Sequence, residues 1–428
     1  MKDRLKNIEE ILSNNTVLND WFSPLINSLE RVRYSDKIFS TLSMETFILQ
    51  NCVRQLNNCA TQREHLQSLF HLDDEATLFP LARSTYSDAL SSKIRLHIAS
   101  EAAFNLAEAA SVALPDRLSG FKELDGRPVY AMDGTYQNES CHFNKVTPSQ
   151  GGSDSSKGHL QHTTFDLRRR IPIDVDVDTS SISEIRFVKE RWEKRELTER
   201  KNALFVVDRG FIDADYWDSR KRRFGVTVIT RMKSNLNYSV IENVKVSSSN
   251  KKQGIKFDKL IQLDSSEEQW RLIGYKSDSG EKYIYLTNDL CLNSKVIAYL
   301  YHRRWDEEKY FDNYKNDMGN SKAWGKSKAA IKQQAIIGIM TFILTRLFCD
   351  KHAKAFGIPI DGTTQKKKHE SKRENYAEGK TRDAHKAFHT HLSKITKQVW
   401  RFLKGCMLKK SRQALYERQL GPLMRAYL

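Results

Sequence analysis

The chain has 428 residues, 39% of them apolar and 10% aromatic, which excludes a disordered polymer and exceeds one ordinary core. Lysine and arginine number 70 against 53 aspartates and glutamates, a formal net charge of +17 that favours a polyanionic partner, nucleic acid ahead of an anionic membrane. The 6 cysteines are irregularly spaced with no CxxC pair, which argues against a zinc or disulfide framework and fits a reducing compartment. The opening MKDRLKNIEEIL has no apolar core or small-residue cleavage site, so no signal peptide is expected. The longest apolar run, Ala335 to Leu344, is half a membrane span bracketed by Lys332 and Arg346 and reads as a buried core helix. A cytoplasmic protein with no membrane partner is expected.

Residues 1–115 carry apolar spacings of three and four, as in WFSPLINSLERV and FNLAEAASVAL, and are predicted to be helical. Within them, Pro80 stops one segment, and Ser84 or Thr85 can cap the next, with Asp88 in its first turn. A short helix beginning at Arg83 is either the reading helix of a helix-turn-helix or one arm of an ordinary helical hairpin. From Phe121 the pattern changes. RPVYAMDGTY, GHLQHTTFDL and RRRIPIDVDVD are predicted strands, and SISEIRFVKERWEKREL an amphipathic helix. NALFVVDRGF is a buried strand, DADYWDSRKRR a short helix and FGVTVITRMK a further strand. Residues 234–280 are polar with short alternating runs and read as a β-rich insertion, after which KYIYLTNDL returns to a strand. Beyond Asn320 come the apolar helix, the basic stretch QKKKHESKRENYAEGKTR and a basic tail; the basic stretch reads equally as a DNA-facing loop or a solvated linker.

YHRRWDEEKYFDNYK, Tyr301 to Lys315, is charged, aromatic and free of glycine and proline. On an unbroken helix Tyr301, Arg304, Glu308 and Lys315 fall within an arc of roughly 60°, together with Ile297 and Phe311. A face carrying both apolar and charged groups packs inward, and buried charges must be paired or do chemistry. An i,i+4 ion pair between Arg304 and Glu308 is the plain alternative. Two more carboxylates, Asp133 in YAMDGT and Asp208 in FVVDRG, end predicted strands, where open α/β sheets place their sites, although Asp-Gly is also ordinary turn chemistry. If Asp133, Asp208 and Glu308 converge, their repulsion calls for hard divalent cations, Mg²⁺ above all, and two such ions suit phosphodiester chemistry.

These residues carry a resemblance. Tyr301, Arg304, Glu308 and Lys315 reproduce in spacing and order the Tyr–Arg–Glu–Lys signature of bacterial insertion-sequence transposases of the insertion-sequence-four type. DGT at Asp133 and DRGF at Asp208 resemble that family's first and second acidic motifs. TRMKSN from Thr230 and YLTND from Tyr285 resemble its strand segments, and RSTYSDAL its entry helices. The resemblance implies an α/β fold with a ribonuclease-H-like catalytic core, residues 116–233 and 281–325, interrupted by the β-rich insertion 234–280. The resemblance covers roughly residues 75–320; outside it, 1–115 is expected to be a helical DNA-binding region and 326–428 a helical basic region for dimerisation or DNA contact. Asp133, Asp208 and Glu308 would be catalytic and bind two Mg²⁺ ions, with Mn²⁺ able to substitute. Tyr301, Arg304 and Lys315 would hold the transposon end, and Arg209, Arg231, Lys233 and Arg83 are further candidate DNA contacts. The implied activity is cleavage of terminal inverted repeats through a hairpin and joining of the 3′-hydroxyls to target DNA, by a homodimer on double-stranded DNA.

Trp270, in the insertion, is a candidate for stacking a flipped base or for plain core packing. His159 and His162 look like a metal pair without a third ligand and read as strand or loop residues. Asp213, Asp215 and Asp306 are neighbouring acids, with Asp306 expected well off the inward face. Competing readings are a structure-specific nuclease on the same fold and a non-catalytic DNA-binding repressor derived from a transposase.

Overall fold

The computed structural model describes residues 16–34, 41–56, 61–70, 82–138, 158–179, 182–192, 200–277, 280–318 and 322–355, with Leu12, Phe39 and Asn320. The basic stretch and tail therefore lie outside the described residues.

Among the described residues, nine strands form one mixed sheet: β1 (Val129–Asn138), β2 (Gly158–Asp166), β3 (Ile171–Thr179), β4 (Leu204–Val207), β5 (Thr227–Arg231), β6 (Tyr238–Asn243), β7 (Ile255–Leu263), β8 (Gln269–Lys276) and β9 (Lys282–Thr287). Their order across the sheet is β3-β2-β1-β4-β5-β9-β8-β7-β6. Strands β1, β4 and β5 run parallel, and the flanking pairs are antiparallel. Central β4 reads LFVV and is buried throughout, as a strand covered on both faces must be. The strands of residues 234–280 join through β8, which pairs with β9, and end in β6, an edge strand exposed along its length.

Period-two alternation sorts the central side chains into two cores. Val129, Ala131, Leu204 and Val206 belong to the core on one face. Tyr130, Met132, Phe205 and Val207 belong to the core on the other. The first face is covered by helices α1 (Thr16–Glu30), α2 (Met44–Leu56), α4 (Arg83–Ser91), α5 (Lys93–Ala113) and α11 (Lys328–Ala355), with α3 (Gln62–Phe70) beside α4. The second face is covered from α6 (Glu184–Phe187) and α7 (Ala214–Phe224). Asp213 caps α7 by accepting from the Tyr216 amide at 3.0 Å, and Gly225, at φ +70°, ends it in the left-handed conformation that glycine adopts at little cost. Short α8 (Ser248–Lys252) lies in the insertion.

Helix α11 contains the apolar run and is the only described helix long and apolar enough to cross a membrane, yet 89% of its apolar window is buried in the fold. It is apolar nearly all round because it is packed on several sides, against α5, β3, α1 and α2. Ser327 caps it by accepting from the Ala330 amide at 3.1 Å. Gly338 lets the Tyr314 ring lie directly on the helix backbone, since a Cβ at Gly338 would overlap that ring.

Four local readings change in three dimensions. Strand β1 continues five residues past Asp133, so Asp133 is not at its end; it is instead the first residue beyond the pairing of β1 with β4, which stops at Met132 and Val207. The predicted helix after β3 is a single α-turn, α6, that widens into a π-helical segment over Val188–Trp192; residues 193–199 lie outside the described residues. Helix α4 starts at Arg83 with Ala82 at its N-cap, so Ser84 and Thr85 lie inside the first turn. The stretch from Tyr301 is not one continuous helix. It divides into α9 (Ser294–Arg303), α10 (Trp305–Asp312) and a π-helical segment, Asn313–Asp317.

Candidate active site

Alternation puts Asp133 on the same face as Val129 and Ala131. Ala131 pairs with Val206 and Met132 with Val207, so one further step in that parallel register brings Asp133 beside Asp208. Asp208 leaves β4 and opens a tight turn over Arg209–Phe211, in which the Phe211 amide donates to the Asp208 carbonyl at 3.1 Å. Asp208 is close enough that its charge raises the cost of ionising Asp133.

Arg304 stands at the break between α9 and α10. Its amide is shared between the carbonyls of Leu300 at 3.2 Å and Tyr301 at 3.3 Å, a tightened turn that redirects the chain. From there the guanidinium donates from Nη1 to Asp133 Oδ2 at 2.9 Å and from Nη2 to Glu308 Oε1 at 2.6 Å. The Arg304 side chain is 10% exposed, that of Asp133 18% and that of Glu308 43%, so the bridge runs from the interior to the rim. Burial alone would weaken the charge on Arg304; Asp133, Tyr301 and Glu308 outweigh it and hold the guanidinium firmly protonated. Asp133 responds oppositely. Burial, partly offset by Arg304 and by the Gly134 amide donating at 2.8 Å, pushes its carboxyl up to about 6.

The break is held from behind. Asp306 is buried and contacts Arg170 Nε at 3.2 Å and Arg303 Nη2 at 2.6 Å. Arg170 lies in the turn between β2 and β3 at φ +56°, so the ion cluster ties the start of α10 to that hairpin. Asp306 thus faces the interior through its own charge network, because the helix break turns it there. Ile297 and Phe311 are buried as expected.

Two further carboxylates reach this region. Glu184, first residue of α6, lies over Gly210, where any Cβ would overlap its carboxylate. Burial and the charges of Asp133 and Asp208 push Glu184 up to about 7, against opposing effects of Arg304 and Lys233. Glu307 is fully buried, and burial first, then Asp133, raise its pKa well above the usual range. Topology held the signal for Glu184. Strand β3 runs in the direction of β1, so the segment after β3 emerges at the same sheet edge as Asp208.

Of the other predicted contacts, Tyr301 is buried, its ring 5.7 Å from the Arg304 guanidinium, and burial pushes its hydroxyl up to about 12. Arg231 lies 5.2 Å over the Tyr283 ring and acts electrostatically on Tyr301, while Lys233 acts on Glu184. Arg209 is exposed on the turn after Asp208. Lys315 is half-buried in the π-helical segment, where burial lowers its pKa. Arg83 is exposed on α4, which packs on α3 and α11. Trp270 is buried on the second face, its Nε1 donating to Asp218 Oδ1 and Ser266 Oγ, each at 3.1 Å, so it is a core residue. His159 and His162 are buried in β2; His159 Nε2 meets Gln137 Oε1 at 2.7 Å, and the His162 ring stacks on Phe187 at 3.7 Å. Asp213 is the α7 cap and Asp215 sits in that helix's first turn.

The oxygen-only donor set of Asp133, Asp208 and Glu308 has the chemistry of a hard divalent cation site. The arrangement does not. Among the described residues, no three acidic, histidine or cysteine side chains are gathered closely enough to hold a metal ion, and Arg304 stands between two of the three carboxylates.

Residues 124–344, just over half of the chain and all of the site just described, match the family model of the transposase DDE domain, and the chain belongs to that family. A cryo-electron microscopy structure of a piggyBac transposase synaptic complex with hairpin DNA aligns with 10% identity and a TM-score of 0.42, covering 98% of this chain and 86% of that one. At that level of similarity the class rests on the family match. A comparison with curated proteins finds no match.

Proposed function

We propose that the protein is a cut-and-paste DNA transposase of the insertion-sequence-four type. It binds the terminal inverted repeats of its element, cleaves them through a hairpin and joins the freed 3′-hydroxyls to target DNA. Its core is ribonuclease-H-like, supported by the strand order β3-β2-β1-β4-β5 with β1, β4 and β5 parallel. Residues 116–233 and 281–325 make up that core and 234–280 the β-rich insertion. Residues 1–115 bind DNA, and 326–428 contribute to dimerisation or DNA contact. Asp133, Asp208 and Glu308 are the catalytic carboxylates, with two Mg²⁺ as the proposed cations and Mn²⁺ able to replace them. The single observation that supports the reading is that Asp208 and Glu308 both act electrostatically on Asp133 within the matched family domain.

Tyr301, Arg304 and Lys315 flank Glu308 and grip the transposon end. Arg304 supplies a planar fork suited to a phosphate, and Lys315 a point charge. Arg209, Arg231 and Lys233 extend the contact along the backbone, and Arg83 acts from the N-terminal region. The working form is a homodimer on DNA in the cytoplasm, one catalytic site for each element end.

The test is incubation of purified protein with Mg²⁺ and duplex DNA carrying the repeats that flank its gene, beside Glu308→Ala. Nicked, hairpin and joined products from the wild type alone support the reading. Nicks without transfer point to a structure-specific nuclease. DNA binding without cleavage in Mg²⁺ or Mn²⁺ sinks it in favour of a DNA-binding repressor.

A further inference from the structure

We infer that the arginine-lined cleft at the starts of β1 and β4 is a second DNA-binding site, which holds backbone phosphates at a distance from the carboxylate cluster. The choice of DNA rests on the proposed function; the preference for an anion rests on the cleft alone. The cleft has a volume of about 850 Å³ and is lined by five arginines against three acidic residues. Its walls are the end of α5, the stretch from Gly126 that enters β1, the β2–β3 turn and Arg200, ahead of β4. Asp133 stands four residues beyond Val129, the first residue of β1, so it lies about 13 Å along the strand from the cleft.

The arginines divide by what they bind. Arg127 and Arg168 belong to the frame. Arg127 donates to the Asn202 carbonyl at 3.0 Å, to Asp289 Oδ2 at 2.7 Å and to the Thr227 hydroxyl. Arg168 donates to the Arg127 carbonyl at 2.6 Å, to Asp116 Oδ2 at 2.6 Å and to the Leu124 carbonyl. Arg31, Arg169 and Arg200 are held differently. Arg200 donates to the Tyr130 hydroxyl and lies 5.1 Å over that ring, and both contacts are neutral. Arg169 is 3.9 Å from Asp116, whose carboxylate already accepts the 2.6 Å bond from Arg168. Arg31 and Glu108 are 3.9 Å apart with both side chains more than half exposed, a pair that contributes little. The third acid, Asp166, is turned to the chain itself and accepts from the amides of Arg168 at 2.7 Å and Arg169 at 3.2 Å. Three segments far apart in sequence thus deliver to one cleft three guanidiniums whose charge is incompletely balanced. A guanidinium fork matches phosphate geometry, and a strand with a phosphate at every nucleotide engages all three where a small anion engages fewer. Carboxylates accept the same fork, so the choice of DNA over an acidic peptide follows from the proposed function. Phosphate contacts fix register on a duplex, and contacts at both ends of β1 would hold the cleaved linkage against sliding.

The test uses the full-length chain in EDTA, so that nothing is cleaved, and a fluorescent duplex of the terminal repeat. Dissociation constants are read by anisotropy across a salt series. The samples are the wild type, a triple variant with Arg31→Gln, Arg169→Gln and Arg200→Gln, and a control with Lys251→Gln, Lys252→Gln and Lys256→Gln, which removes the same charge from exposed positions in the insertion. Each phosphate contact contributes about 0.9 to the slope of log K against log salt, so the arginine variant should lose roughly 2–3 of slope and about tenfold in affinity at ~50 mM salt. The lysine control should keep the wild-type slope. An unchanged slope in the arginine variant, or an equal loss in both variants, refutes the site and leaves the proposed function standing. A wild type that does not bind the duplex at all overturns both. Inorganic pyrophosphate, titrated against melting temperature, separates the sources of phosphate. If the arginine variant loses a stabilisation by pyrophosphate while its DNA slope is unchanged, the cleft is a small-anion site and the DNA assignment falls. Phenylglyoxal labelling of the wild type, read by mass spectrometry, decides the matter even if the arginine variant fails to fold. The duplex should protect Arg31, Arg169 and Arg200, and equal labelling with and without it refutes the site.

Discussion

Glu184→Gln is expected to stabilise the protein at alkaline pH and to do little in acid. The Glu184 carboxyl is raised from 4.5 to about 7 by burial and by the charges of Asp133 and Asp208. A raised acid holds its proton longer in the folded chain than in the unfolded one. Its charge therefore costs nothing well below pH 4.5, costs progressively more between 4.5 and about 7, and costs the full amount above that. At about 1.4 kcal/mol per pH unit, the shift corresponds to ~3 kcal/mol, which partial solvent access reduces to about 2 kcal/mol. Glutamine keeps the shape and removes the charge. Urea denaturation of both proteins in EDTA should show a gain of about 2 kcal/mol at pH 8 and under about 1 kcal/mol at pH 5. An equal gain at both pH values, or a loss at pH 8, would refute the claim that Glu184 shares the charged cluster.

Asp306→Ala should cost about 3–5 kcal/mol, read as a fall in melting temperature, because it removes the buried carboxylate that pairs with Arg170 and Arg303. Gly210→Ala and Gly338→Ala should differ. The first displaces only the flexible end of Glu184 and should change stability by under about 1 kcal/mol, whereas the second drives a methyl into the buried Tyr314 ring and should cost about 1–3 kcal/mol in the same denaturant series. Trp270→Ala should lower global stability by about 3–5 kcal/mol, since the ring is core and its Nε1 is bonded twice. A Trp270→Ala protein with wild-type stability that stalls at the hairpin would instead return that side chain to a DNA-facing role.

The sequence by itself determined the central strands and the candidates for their chemistry. The apolar runs in RPVYAMDGTY and LFVV are local signals, because a strand covered on both faces is apolar at every position. The apolar run of α11 was legible for the same kind of reason, with flanking charges that mark a core helix. The spacing of Tyr301, Arg304, Glu308 and Lys315 was also visible, and so was the option of an Arg304–Glu308 pair, which the structure contains. Only the tertiary structure decided what that pair does. At the break at Arg304, Asp306 reaches Arg170 in the β2–β3 turn, more than a hundred residues away in sequence. The same break sends the guanidinium to Asp133 as well as Glu308, and pairing of β1 with β4 sets Asp133 beside Asp208. Glu184 and Glu307 become part of the cluster through packing alone. Their shifted acidities come from lost water and from charges brought near by distant chain segments, and neither quantity is written in the residues around them.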